Sequence, residues 1–254
     1  MFSQRELDRY KRQVMLFGEE GQERLKKAHI FIAGAGGLGS PISIYLAVAG
    51  VGTITIVDMD VVDQTNLNRQ ILHNDCDVGR KKTASAEEKL RELNPDITIN
   101  AIDVRIEESN AAKLIGKADG IVDAMDNYPT RYLLNDVAIA KEIPLFHGGI
   151  RGFYGQATTI IPGTTPCLKC IFPRAPPKEV FPVVGVTPGI IGTIQANEVI
   201  KYLTGSGRLL TGRLFIWDGM EAHAEELGVE RNPACEACKG LTATKTTTTA
   251  RTNK

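Results

Sequence analysis

The sequence predicts an α/β fold: a mainly parallel sheet with helices on both faces, continued by antiparallel strands. Three observations lead there. An apolar run, Ile30 to Ala33, passes through Gly34, Ala35, Gly36, Gly37, Leu38 and Gly39 into a helix-competent segment, Ser40 to Ala49. Short apolar runs then alternate with helical patterns as far as Ile161, which is the rhythm of βαβ units. Two Cys-x-x-Cys pairs, Cys167 with Cys170 and Cys235 with Cys238, have the spacing of metal knuckles. The first two make the core Rossmann-like, and such sheets place ligands beyond the carboxyl ends of their strands.

Glu6 to Lys27 reads as a helix with Leu7, Tyr10, Val14, Leu16, Phe17 and Leu25 as its apolar positions and a break near Gly18 to Gly21. Arg9 and Arg12 lie three apart and share a face that, on its own pattern, reads as solvated. The glycine turn follows. Glycine accepts positive φ without a Cβ penalty and lets a phosphate approach bare N–H groups at a helix start. The run Thr53 to Val57 ends in Asp58, about 20 residues after the turn, where an acid takes ribose hydroxyls. Taken alone, this fingerprint fits NAD or FAD as well as any other nucleotide.

The next segment shifts the balance. Thr65, Asn66, Leu67, Asn68, Arg69 and Gln70 are followed by Arg80, Lys81 and Lys82 at the start of another helix pattern. Hydride transfer has no use for cations beyond the pyrophosphate, whereas a triphosphate does. Arg69 can grip phosphate oxygens bidentately and Lys82 can supply a point charge.

Ile97, Ile99 and Ile102 suggest a strand, Ala111 to Ile115 a short helix, and Gly120 to Val122 a strand ending in Asp123 to Asn127. A helix from about Pro129 to Ala140 precedes two strands, Ile143 to Ile150 and Phe153 to Ile161, joined near Gly152. Asp126 and Asn127 thus share a rim with the glycine turn. Asp126 is placed there to hold Mg²⁺ beside phosphates or to cap the helix that follows, two roles open to different oxygens. Pro173 to Pro188 reads as a proline-bound crossing, with a mobile loop over the site as one reading. A helix from about Ile190 to Leu203 and a strand from Leu214 to Trp217 follow, with Trp217 as core.

Four thiolates in two pairs make a closed tetrahedral Zn²⁺ site that ties the tail end back to the middle, with a redox dithiol as the rival. Cys76 has no partner in the sequence and reads as a buried bystander. The chain of 254 residues is 43% hydrophobic and carries 30 basic and 30 acidic side chains. Zero net charge argues against bulk attraction to nucleic acid or an anionic membrane. No apolar run approaches the roughly 18 residues of a membrane span, so a soluble, cytoplasmic protein is expected. The expected organisation is one domain over 1–240, with a helical arm at 1–27, a zinc-tied part at 160–240 and a disordered threonine-rich tail at 241–254.

In this order and at these intervals, Gly34 to Gly39, Asp58, Thr65 to Gln70, Lys82, Asp126-Asn127 and the paired cysteines resemble the ThiF/MoeB/HesA family of adenylyltransferases. These activate ubiquitin-like sulfur carriers for molybdopterin or thiamine biosynthesis or tRNA thiolation and are related to ubiquitin-activating enzyme. The resemblance covers residues 5 to 240. It implies a homodimer that binds ATP and Mg²⁺ and adenylates the C-terminal Gly-Gly carboxylate of a small carrier protein. Zn²⁺ on the cysteines is expected from their spacing, and no membrane or nucleic-acid partner is expected from the charge balance and the absence of a long apolar run. It places Gly37, Asp58, Asn66, Arg69, Lys82, Asp126 and Asn127 on ATP or its metal. It also makes Arg12 reach into the neighbouring protomer's site, as a fourth charge-stabilising group with Arg69, Lys82 and Asp126. One departure is visible: Glu179 to Thr187 holds no cysteine, and Pro182 stands near where thioester- or persulfide-forming relatives carry one. The expected reaction therefore stops at the acyl-adenylate.

Overall fold

The computed structural model describes residues 2–176 and 181–242. The chain begins with α1 (Gln4–Lys27), two helical pieces joined at Gly18, whose φ of 72° only glycine adopts freely. Its start is a capping box: Ser3 accepts from the Glu6 amide, and Glu6 accepts from the Ser3 amide. The βα alternation then runs β1 (His29–Ala33), α2 (Gly39–Ala49), β2 (Thr53–Val57), α3 (Lys82–Leu93), β3 (Thr98–Ile102), α4 (Ala111–Ile115), β4 (Gly120–Asp123), α5 (Tyr128–Lys141) and β5 (Leu145–Arg151). It ends with β6 (Tyr154–Ile160), α6 (Leu168–Ile171), α7 (Val186–Thr204), β7 (Arg213–Asp218) and β8 (His223–Gly228).

All eight strands form one sheet in the order β3-β2-β1-β4-β5-β6-β7-β8. Strands β3 through β5 pair in parallel, and β5 through β8 pair antiparallel. The chain leaves β1 toward β2 and β3 on one side and returns to β4 and β5 on the other. Strand order therefore reverses between β1 and β4, which opens a crevice at their carboxyl ends.

Alternation within β1 feeds two cores. Ile30 and Ile32 face one side with Leu46 of α2, Leu90 of α3, and Ile191 and Val199 of α7; Phe31 and Ala33 face the other with Ile115 of α4 and Leu134 of α5. Both faces are covered, which is why the parallel strands read as continuous apolar runs.

Several expectations need correction. Helix α7 starts at Val186, ahead of Pro188, because the first helical turn has no intrahelical partner for its N–H groups and so tolerates proline. Trp217 is half-buried on β7 and flanks the core from the sheet's less covered end. Cys76 is exposed on a 3-10 turn, Asp75–Asp77, in which the Asp77 side chain points inward to Lys89 and the cysteine faces out. Strand β8 was not anticipated: its sequence, HAEELG, is poor in strand formers, and all six residues are exposed. The readings of a mobile crossing and a disordered tail fall in part on 177–180 and 243–254, outside the described residues.

Candidate functional site

The crevice is built around the turn after β1. Gly34 has a φ of 104°, and a methyl group there would lie 2.8 Å from the Ala124 carbonyl oxygen after β4. A methyl at Gly39 would lie 2.0 Å from the Gly34 carbonyl oxygen. Glycine is thus required where β1 folds back beside β4 to launch α2. The N–H groups of Gly36, Gly37 and Leu38 have no hydrogen-bond acceptor among the described residues. They lie at the start of α2, where peptide dipoles favour an anion.

Asp58, at the end of β2, is half-buried. Its Oδ2 accepts the Ala35 amide at 2.8 Å and its Oδ1 accepts the Asp60 amide at 2.8 Å. Each carboxylate oxygen retains acceptor capacity for a ribose hydroxyl. The segment from Asp63 to Gln70 folds as a 3-10 turn, Gln64–Asn66, in which the Asn66 side chain accepts the Asp63 amide at 3.3 Å. Arg69 donates to the Thr65 carbonyl at 2.8 Å and to Asn68 Oδ1 at 2.9 Å. Its Cγ would be 3.7 Å from a methyl placed on Gly37, so the guanidinium stem lies against the turn. The first turn of α7 closes in from the other side, with Pro188 carbons 3.3 Å from that same point.

Lys82 opens α3 and is only 5% exposed. Its ammonium pairs with Asp60 Oδ2 at 3.0 Å, and the Asp60 side chain is 55% exposed. Asp60 had not been singled out from the sequence; it is the counter-ion that makes burying Lys82 tolerable.

Asp126 and Asn127 lie between β4 and α5. Asn127, not Asp126, caps α5: its side chain accepts the Thr130 amide at 3.0 Å. Asp126 is exposed, with only the Asn127 amide group nearby at 3.4 Å, and its carboxylate is left for other work. Arg12 is exposed on α1 and forms no hydrogen bond or ion pair among the described residues.

Beneath this rim lies a polar network that periodicity could not reveal. Asp123 Oδ2 and His147 Nδ1 are 2.7 Å apart, both fully buried, and Arg131 Nε is 3.7 Å from the same carboxylate oxygen. Arg131 also donates to the Met125 carbonyl at 3.1 Å and the Gly148 carbonyl at 3.1 Å. The guanidinium thereby clamps the backbone just before Asp126 to β5. Burial lowers the His147 pKa, which keeps the ring neutral although Asp123 pulls the other way. The available signal was a histidine inside the run Leu145–Arg151, between Phe146 and Gly148, where a leucine or valine would be ordinary.

The two cysteine pairs converge. All four sulfurs lie within 4.8 Å of one another, with Cys167 to Cys170 at 3.8 Å, Cys167 to Cys235 at 3.6 Å and Cys170 to Cys238 at 3.4 Å. A tetrahedron with metal–sulfur bonds of about 2.3 Å has edges of roughly 3.8 Å, so the set fits a four-thiolate cation site. Burial raises the Cys167 thiol above its usual range, and a bound cation is what reverses such a shift. Arg231 braces the cluster, donating to the carbonyls of Gly163, Leu241 and Cys238 at 2.9, 3.0 and 2.7 Å.

Fold and site together define an α/β protein with a glycine turn at the point where strand order reverses, Arg69 against that turn, a carboxylate on the rim and a four-cysteine cluster. The chain belongs to the ThiF family, whose model matches residues 10–237. It is 45% identical over 241 residues to the SAMP-activating enzyme E1 of Haloferax volcanii, covering 92% of this chain and 89% of that protein. It is 43% identical over 250 residues to the sulfur carrier protein adenylyltransferase of Thermus thermophilus, covering 93% and 92%. A crystal structure of E. coli MccB with ATP superposes with a TM-score of 0.79 at 25% identity, covering 91% of this chain and 74% of that one.

Proposed function

We propose that this protein is an ATP-dependent adenylyltransferase that activates the C-terminal Gly-Gly carboxylate of a ubiquitin-like sulfur carrier protein as an acyl-adenylate and releases pyrophosphate. One observation carries the reading: Arg69 lies against the glycine turn, the buried Lys82 pairs with Asp60 just beyond the end of β2, and Asp126 follows β4, the strand beside β1. A nicotinamide or flavin site leaves those groups without work.

The chemistry follows from charge. A peptide C-terminal carboxylate has a pKa near 3.5 and is already an anion at neutral pH, so its attack needs no general base. A carboxylate oxygen bonds to the α-phosphorus while the bond from that phosphorus to the α,β-bridging oxygen breaks, and pyrophosphate leaves with the electron pair. The barrier is repulsion between anions. Arg69 and Lys82 neutralise phosphate oxygens, Asp58 orients the ribose, Gly37 and Asn66 frame the nucleotide, and Asp126 with Asn127 supplies oxygens for a divalent cation. Mg²⁺, when bound there, screens the triphosphate. Zn²⁺ on Cys167, Cys170, Cys235 and Cys238 is structural, because four thiolates leave no position for water or substrate.

The protein acts as a homodimer of one adenylation domain spanning 1–240, located in the cytoplasm; among the described residues no helix is long and apolar enough to cross a membrane. Support for self-association lies on α1 and α7. Met15 and Leu16 are 74% and 82% exposed beside the unpartnered Arg12, and Val186, Ile190 and Ile194 of α7 line a shallow apolar depression. A second copy seated there covers these side chains and delivers Arg12 to the partner's phosphates. Sulfur transfer is left to another protein, since the crossing contains no cysteine among 179–187.

The test is mixing. Arg12→Ala and Asp126→Ala chains are each expected to be inactive in carrier-dependent pyrophosphate exchange, and mixed dimers to recover part of the activity through one intact composite site. No recovery, with mixed dimers demonstrated, would remove Arg12 from the partner's site; normal exchange by Asp126→Ala alone would discard the metal assignment.

A further inference from the structure

Beside the glycine turn runs a chain of buried polar groups that the adenylation chemistry does not use. His73 is 4% exposed; its Nε2 lies 2.9 Å from the Ala35 carbonyl oxygen and its Nδ1 2.9 Å from Ser85 Oγ. A carbonyl only accepts, so Nε2 carries the proton, and in the neutral ring Nδ1 accepts the Ser85 hydroxyl. Ser85 Oγ in turn accepts the Lys89 ammonium at 2.8 Å, and Lys89 is anchored on the fully buried carboxylate of Asp77. Asp77 also takes the Asn74 amide at 2.8 Å and Arg80 at 2.7 Å. Donation thus runs one way, from Lys89 through Ser85 and His73 to Ala35. Burial, together with the Lys89 and Lys82 cations, holds His73 below its ordinary pKa against the pull of Asp77 and the Ala35 carbonyl, consistent with the neutral ring.

The consequence falls on one peptide plane. Ala35 is pinned at both ends, its N–H by Asp58 and its C=O by His73. In a planar trans peptide the C=O of Ala35 and the N–H of Gly36 point in opposite directions. Holding the carbonyl back toward α3 therefore turns the Gly36 N–H, which has no acceptor among the described residues, outward from the turn.

We propose that His73, through its Nε2–H bond to Ala35, is a positioning residue that aims the Gly36 amide at a phosphate of the bound nucleotide. This rests on the reading of the turn as a triphosphate site. The experiment compares wild type with His73→Phe and His73→Gln in the full chain, measuring ATP and NAD affinity by calorimetry and the KM and kcat of pyrophosphate exchange. Phenylalanine removes the bond and is expected to weaken ATP binding roughly tenfold, the order of one net hydrogen bond from Gly36 to a phosphate, with the effect on KM and not on kcat. Glutamine can donate to Ala35 and accept from Ser85, and is expected to restore most of the affinity. ¹⁵N NMR of the uniformly labelled wild type is expected to show His73 as the Nε2–H tautomer and the Gly36 amide to shift on adding ATP.

Unchanged ATP affinity in His73→Phe, equal loss in both variants, or an Nδ1–H tautomer overturns the proposal. If His73→Phe does not fold, the wild-type NMR decides alone. A Gly36 amide that responds to NAD and ignores ATP would instead overturn the triphosphate reading while leaving His73 in its positioning role.

Discussion

Replacing Lys82 with methionine isolates one charge at the site. Methionine keeps most of the buried aliphatic stem, so packing under the first turn of α3 is largely conserved, and Lys82 is only 5% exposed. What is lost is an ammonium held 3.0 Å from Asp60. Asp60 is more than half exposed, so releasing it to water costs little. Against a phosphate about 4 Å away at an effective dielectric constant of 20, a unit charge contributes on the order of 4 kcal/mol. Allowing about 1 kcal/mol for the competing Asp60 contact leaves roughly 3 kcal/mol, or about a hundredfold in kcat/KM. The assay is carrier-dependent ATP–pyrophosphate exchange at subsaturating ATP, with thermal unfolding as a control for folding. A Lys82→Met protein that folds normally and exchanges within twofold of wild type would refute the assignment of Lys82 to the phosphates.

Gly34→Ala forces alanine into a φ of 104° and a 2.8 Å contact with the Ala124 carbonyl, and Gly39→Ala brings a methyl within 2.0 Å of the Gly34 carbonyl. Each is expected to lose nucleotide binding and at least about 2 kcal/mol of stability, read by calorimetry and urea unfolding. Metal analysis is expected to find one zinc per chain; stripping it, or Cys235→Ser, is expected to lower Tm sharply, whereas Cys76→Ser leaves both zinc content and Tm unchanged. Acid stability follows from two carboxyls. Lys26 and the Ser3 amide hold Glu6 at about 2, and at Asp77 burial pushes upward but Lys89 and the Asn74 amide outweigh it, leaving a pKa of about 2. Both folded values lie below the unfolded ones, so this stability is complete above about pH 5 and drains as pH falls toward 2. Asp77 accounts for about 2 kcal/mol, and Asp77→Asn is expected to flatten that part of the urea-unfolding profile against pH.

The parts of the fold that repeat a local rule could be read from the residues. Strands β1, β2 and β4 are apolar runs between helix signals, and their ends fall within a residue or so of the pattern. Tertiary context decided the rest. Strand β8 exists because β7 offers it a pairing edge, not because its residues favour extension, and α7 runs through Pro188 because the first turn wastes no N–H there. The site divides the same way. Gly34, Asp58, Arg69, Lys82 and Asp126 announce themselves by type and interval. Asp60, His73, Asp123, Arg131 and His147 do not, since their roles are to satisfy other groups, and the pairings span up to 38 residues in the bonds described.

In the proposed reaction, Arg69 and Lys82 let a protein carboxylate attack ATP. The direct measurement is isotope exchange between pyrophosphate and ATP by the purified protein with magnesium and a ubiquitin-like sulfur carrier. Exchange that requires the carrier and vanishes when its terminal glycine is removed is the expected result. Tight NAD binding together with no exchange, for any such carrier supplied, would rule this reaction out.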